Sequence, residues 1–192
     1  KADAQFLHSL IPEYWRGPQP PRAILDVGCG TGTHAVELAR QFHYSVTGID
    51  TSDVMLSRAK PKAKEIDSRS RPKFLKQDMR SLKLNCRFDV AICMLNSFGY
   101  ATGNGEPEQV LQSVKSHLVR NGLFIIEFWQ KRAVFPQELY YIAVPHKPGF
   151  LSRNVRRVVK IRRLDGLIEA DFGFEIFGLR FGPSRVFVPK TF

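Results

Sequence analysis

Two carboxylates and three glycines are spaced to bind a nucleotide-like ligand. Asp26 stands two residues ahead of a glycine run with Gly28, Gly30 and Gly32 at alternate positions, and Asp50 lies 18 residues past Gly32. Asp78 follows the next short apolar run. Glycines without Cβ atoms permit close approach of backbone to ligand, and the helix that starts after them offers free N–H groups. A dinucleotide site wants G-x-G-x-x-G, but the third template position here is Thr33. A carboxylate at Asp26 would repel a pyrophosphate and attract a ligand carrying an ammonium or sulfonium charge. Nucleophilic catalysis and metal chemistry lack their usual signs: there is no H-E-x-x-H, and Cys29, Cys86 and Cys93 have no metal-ligand spacing.

The elements that must hold these residues alternate. Ala23 to Val27 reads as a buried strand, Ala35 to Phe42 as a crossover helix, and Ser45 to Asp50 as a second strand. A right-handed crossover brings Asp50 to the carboxyl edge beside the glycine turn, where it can accept from both ribose hydroxyls. Ser52 to Lys64 reads as a helix with Val54, Met55 and Ala59 inward. Lys73 to Gln77 and Arg87 to Leu95 are strands, Glu106 to Val119 is an amphipathic helix with Val110, Leu111, Val114 and Leu118 on one side, and Leu123 to Phe128 is a fifth strand. Before the glycine turn, Ala4 to Ile11 has helical spacing and should stop at Pro12. The fold class is α/β, a Rossmann-like, mostly parallel sheet with helices on both faces.

A different pattern follows. Val155 to Phe177 reads as two strands around Asp165-Gly166, a tight-turn signal, with Arg185 to Phe192 as a third antiparallel strand. Counting outward from that turn sets Arg162 opposite Glu169, Lys160 opposite Asp171 and Arg156 opposite Glu175. Arg157 and Arg163 are left on the other face.

The eight residues Leu25-Asp26-Val27-Gly28-Cys29-Gly30-Thr31-Gly32 resemble the first motif of class I S-adenosylmethionine-dependent methyltransferases. Cys93-Met94-Leu95-Asn96-Ser97-Phe98-Gly99-Tyr100 and Glu127-Phe128-Trp129 are similar to the small-molecule members, the sugar amine N,N-dimethyltransferases and the glycine/sarcosine type. The resemblance implies S-adenosylmethionine as cofactor. Asp26, Gly28, Cys29, Gly30 and His34 would surround its methionine end, and Asp50, Thr51 and Met55 its ribose side. Asp78 and Met79 would flank the adenine, and Met94, Leu95, Asn96 and Ser97 would frame the methyl group. It implies a hydroxyl near the acceptor at Tyr100, the candidate catalytic residue, and makes His34 a pocket-lining residue rather than a base. Asp89 begins its strand at the opposite edge and is read as structural.

The acceptor expected from the resemblance is an amine or hydroxyl of a small molecule. Methyltransferases of adenine or glutamine amides usually carry Asn/Asp-Pro-Pro-aromatic after the fourth strand, where this chain has Leu95-Asn96-Ser97-Phe98, and cytosine C5 enzymes use a Pro-Cys there. A formal net charge of +11, concentrated in Arg58 to Lys76 and Arg153 to Arg163, keeps an RNA or protein substrate as the first rival. The cross-strand acids and the lack of interleaved aromatics weigh against nucleic acid. The second rival is a binding module on the same fold without catalysis. Composition is that of an ordinary globular protein at 43% apolar and 24% charged residues, with no run of the roughly 18 apolar residues that span a bilayer. Reduced thiols fit a cytoplasmic location.

The domain reading is 1–135 as cofactor-binding core and 136–192 as appended antiparallel strands of the same domain, on the acceptor side or at a homodimer contact. The family pattern also implies an N-terminal lid and a final hairpin closing the sheet. Neither is evident within the 192 residues.

Overall fold

Alternation along β1 (Ala23–Val27) sets the two faces of the sheet. Ile24 points into one apolar layer, with Val46, Val90, Ile92 and the buried residues of three helices. Leu25 and Val27 point into the other, with Ile49, Ala91, Cys93 and a fourth helix. Asp26 shares the parity of Ile24 and so falls on the three-helix side. The structure, a computed structural model, describes residues 2–68 and 70–127 and the strands of the remainder. It divides into two compact units, Lys1–Phe128 and Trp129–Phe192.

In the first unit β2 (Ser45–Asp50), β3 (Lys73–Lys76), β4 (Phe88–Cys93) and β5 (Leu118–Ile126) join β1 in the order β3-β2-β1-β4-β5, every pair parallel. Order reverses between β1 and β4, which opens a crevice outside their carboxyl ends. The expected Rossmann-like α/β architecture is therefore present. α1 (Ala2–Tyr14) packs on α2 (Thr33–Phe42). α3 (Asp53–Lys64) follows β2, and α4 (Glu106–Ser116) precedes β5.

Four local expectations change. α1 runs through Pro12, because Ala4, Leu7 and Ile11 bury one face and Trp15 N–H still donates to the Ile11 carbonyl; packing outweighs the lost helix bond. In α3 the inward face is Leu56, Ala59 and Ala63, while Val54 and Met55 are exposed. Ser52 caps that helix, accepting from Met55 N–H, and so fixes which residues turn to the sheet. α4 stops at Ser116 and leaves Leu111 exposed, while Leu118 pairs in β5 opposite Phe88. β4 ends at Cys93, because Leu95 and Asn96 adopt left-handed φ values of 53° and 60°.

Asp89 is structural as expected: one carboxylate oxygen accepts from the amides of Arg22 and Ala23 at 2.8 and 2.9 Å, tying β4 to the entry of β1.

In the second unit β6 (Leu139–Ala143), β7 (Val155–Leu164), β8 (Leu167–Ile176) and β9 (Leu179–Pro189) pair antiparallel in chain order. Arg162 is in register with Glu169, Lys160 with Asp171, and Arg156 with Glu175. β6 had no counterpart in the sequence reading. The Asp165-Gly166 turn, Phe177, residues 190–192, Phe128 and Trp129 lie outside the described residues.

Candidate functional site

The glycine turn is shaped by its neighbours as much as by its own backbone. Gly28, Gly30 and Gly32 have φ of 69°, 53° and 71°, a region that side chains disfavour. Cys29 N–H donates to the Ile49 carbonyl at 2.8 Å, and Gly32 N–H to the Cys29 carbonyl at 2.9 Å. A β-carbon on Gly32 would stand 2.4 Å from the ring of Phe74 and 2.9 Å from Ala59. The third glycine is thus required by β3 and α3 packing against the turn.

Two cavities meet at this turn. The larger, about 420 Å³, has Gly28, Gly30, Asp50, Thr51, Met55, Asp78, Met79, Leu95 and Tyr100 on its walls. The smaller, about 170 Å³, is lined by Cys29, His34 and Met94 together with Thr31 and Thr33. Gly28, Gly30, Leu95 and Ser97 belong to both. Every candidate residue except Asp26 and Asn96 lines one or both cavities.

Asp26 is seated below the turn, 1% exposed. The amide of Ala35 in α2 donates to its carboxyl, and its Oδ2 has no partner among the described residues. Burial pushes its pKa up to about 6, against the opposing pull of His34 and of the Ala35 amide. His34, itself buried, lies 3.4 Å from Asp3 of α1 through Nε2. The glycine turn is therefore linked to the first helix.

Asp50 holds the turn directly. Its Oδ2 accepts from Gly30 N–H at 2.8 Å, and its Oδ1 from Ser52 N–H at 2.8 Å. An ionised carboxylate offers about four lone-pair positions, so two remain for a ligand. Asp78 is more heavily engaged: Arg80 Nε donates to both its oxygens at 3.0 and 3.2 Å, and Nη2 to Oδ2 at 2.6 Å. These bonds hold its pKa below the ordinary carboxylate range. The same guanidinium pairs with Glu106 at the start of α4, whose other oxygen accepts from Gly103 N–H at 2.9 Å.

On the β4 side, Leu95 N–H donates to Glu127 Oε2 at 3.0 Å, and Ser97 Oγ to the Gly28 carbonyl at 3.2 Å. Glu127, at the end of β5, thereby braces the left-handed pair Leu95-Asn96. Tyr100 closes a single 3₁₀ turn, Ser97–Tyr100, with 60% of its surface exposed beside the larger cavity.

Arg80, Gln77 and Ser52 also line the larger cavity, and Thr31 and Thr33 the smaller. Sequence reading missed these as site residues. Arg80 left a signal, a cation two residues after an acid; the threonines left none. Among the described residues no cluster of three or more His, Cys, Asp or Glu is placed to hold a metal ion, and no helix is long and apolar enough to cross a membrane.

Residues 24–122, which run from β1 into β5 and include the whole glycine turn, match the family described as a methyltransferase domain. The chain belongs to the methyltransferase domain family. A putative methyltransferase of Geobacillus sp. is 33% identical to this methyltransferase-domain chain over 122 residues, covering 64% of the chain and 47% of the relative. The dTDP-3-amino-3,6-dideoxy-α-D-glucopyranose N,N-dimethyltransferase of Streptomyces fradiae is 33% identical over 109 residues, covering 56% and 39% respectively. The chain thus spans less than half the length of these two curated relatives. Among solved structures, S-adenosylmethionine-bound CalS10, an amino pentose methyltransferase from Micromonospora echinaspora, has a TM-score of 0.78 at 19% identity. That alignment covers 99% of this chain and 76% of CalS10, and it establishes the shared fold.

Proposed function

We propose that this chain carries the S-adenosylmethionine site of an enzyme that methylates an amine or hydroxyl of a small molecule. The observation that supports this most is Asp50, an acid on the cavity wall that anchors Gly30 and keeps acceptor capacity for two ribose hydroxyls. The larger cavity suits a nucleoside and the smaller one an amino-acid tail, and a ligand spanning both would cross Gly28 and Gly30.

The residues present fit that cofactor. A β-carbon on Gly30 meets nothing within 4 Å among the described residues, so the turn leaves open space above it. Asp50 with Thr51 and Met55 would hold the ribose side, and Asp78 with Met79 the adenine, the amine sharing Asp78 with Arg80. Cys29, His34 and Met94 would line the methionine end. Asp26 would act from beneath the turn, its unpartnered oxygen favouring a cationic ligand. S-adenosylmethionine supplies a methyl group made electrophilic by its sulfonium. Leu95 and Ser97 border the reacting region, and the Tyr100 hydroxyl orients the acceptor and relays its proton.

The small-molecule acceptor is supported by the Streptomyces fradiae relative, whose name states an amino sugar substrate. In this reading residues 1–135 form the cofactor-binding core, and 136–192 carry the appended antiparallel strands. Calorimetric titration with S-adenosylmethionine, followed by methyl transfer to nucleotide-linked amino sugars, tests the proposal. A folded protein that binds no cofactor would exclude it. Tight, salt-sensitive RNA binding would favour a polymer substrate instead.

A further inference from the structure

Lys62 sits in the last turn of α3, 31 residues from the glycine turn, yet its ammonium reaches it. Nζ donates to the Thr31 carbonyl at 2.9 Å and to Thr31 Oγ1 at 3.1 Å, and lies 3.5 Å from Thr33 Oγ1. All three acceptors are neutral oxygens, and no ion pair among the described residues includes Lys62. Thr33 opens α2, and a cation beside a helix N-terminus opposes the helix dipole. The last turn of α3 suits a cation, but the dipole of α2 does not account for the contact with Thr31 and Thr33.

The contact has a consequence confined to one cavity. Thr31, Thr33 and His34 line the smaller cavity and not the larger one. Lys62 lines neither cavity itself, but it fixes the segment that leaves the glycine turn on one side only, and its positive charge has no ion-pair partner among the described residues. An anionic group in the smaller cavity would gain from both effects.

We infer that Lys62 is a positioning residue for the amino-acid end of the cofactor, holding Thr31 and Thr33 in place and supplying the positive charge that suits a carboxylate. The inference rests on the cofactor reading above. It separates the two cavities: the nucleoside half of the ligand should not sense Lys62, and the tail should.

The test compares S-adenosylhomocysteine with 5′-methylthioadenosine, two thioethers of the same nucleoside of which the second lacks the amino-acid tail. Each is titrated calorimetrically into the full chain as wild type, Lys62→Met and Lys62→Arg. Lys62→Met is expected to weaken S-adenosylhomocysteine about tenfold and to leave methylthioadenosine within about twofold, as expected for loss of one charge-assisted contact set. Lys62→Arg, which keeps charge and donors, should recover most of the loss. Equal weakening of both ligands would mean that the lysine only supports the fold, and unchanged binding of both would mean that it does nothing for the site; either overturns the inference while leaving the cofactor reading intact. A wild-type protein that binds neither ligand overturns both.

Discussion

Ser97 fills the space above Gly28. A β-carbon built on Gly28 would stand 2.7 Å from Ser97 Cβ and 2.9 Å from its Oγ, and the Ser97 hydroxyl donates to the Gly28 carbonyl at 3.2 Å. The turn after β1 and the turn after β4 are thus in contact through a glycine that no other residue can replace without moving one of them. Both turns border both cavities, so this contact sets how far apart their walls stand.

Gly28→Ala and Gly30→Ala should consequently differ. Both have positive φ, but only Gly28 has a neighbour in the way. Gly28→Ala is expected to lose about 2–4 kcal/mol, from left-handed strain plus overlap, and Gly30→Ala only about 1–2 kcal/mol, from strain. Gly30→Ala should nonetheless abolish cofactor binding, because its methyl enters the shared space. Urea unfolding and calorimetry on the two variants check this; equal stability losses would contradict it.

Asp50→Ala removes a charged acceptor from the cavity wall and the anchor of Gly30. Cofactor affinity should fall by about 1.5–3 kcal/mol, the usual scale for losing hydrogen bonds to a charged group. Calorimetry that finds unchanged affinity would remove Asp50 from the ribose site.

Asp26 predicts a pH dependence of the ligand-free protein. Its pKa is raised from an ordinary 3.8 to about 6 by burial, so the fold favours the neutral acid. Stability from this group is complete below about pH 3.8 and is lost as pH rises through about 6. The difference corresponds to about 3 kcal/mol. Wild type should lose most of that relative to Asp26→Asn between about pH 4 and pH 7.5 in urea unfolding. Parallel stability curves would show that Asp26 does not titrate as its burial demands.

Tyr100 is half out in solvent and makes no demand on the core, so its substitution isolates chemistry from folding. Tyr100→Phe is expected to lower kcat about tenfold or more, the lower range for loss of a proton-handling group, with cofactor affinity within about twofold. Unchanged turnover would make Tyr100 a wall residue only.

The strand, glycine turn and helix from Ala23 to Phe42 were legible because each is encoded locally, by an apolar run, by residues without Cβ and by apolar period. The acid at Asp50 was legible because the length of one crossover unit fixes which edge of the sheet it reaches. Parallel order followed from alternation of strand and helix. Those are properties of short stretches, and sequence determines them without help.

Other features depended on contacts between stretches. Pro12 stays inside α1 because burial of Leu7 and Ile11 outweighs its missing N–H. Thr33 can stand where a dinucleotide site has glycine because Gly32, under Phe74 and Ala59, already meets the packing need. Spacing places Asp26 at the mouth of the glycine turn. Strand parity and the N-terminus of α2 decide that its carboxyl is seated below the turn, out of water, where burial raises its pKa. The reach of Lys62 to Thr31 and the brace from Glu127 to Leu95 join residues 31 and 32 positions apart. Sequence chose the ligand-binding turn. Tertiary packing decided which charges surround it, because burial and long-range hydrogen bonds arise only when distant segments share one volume.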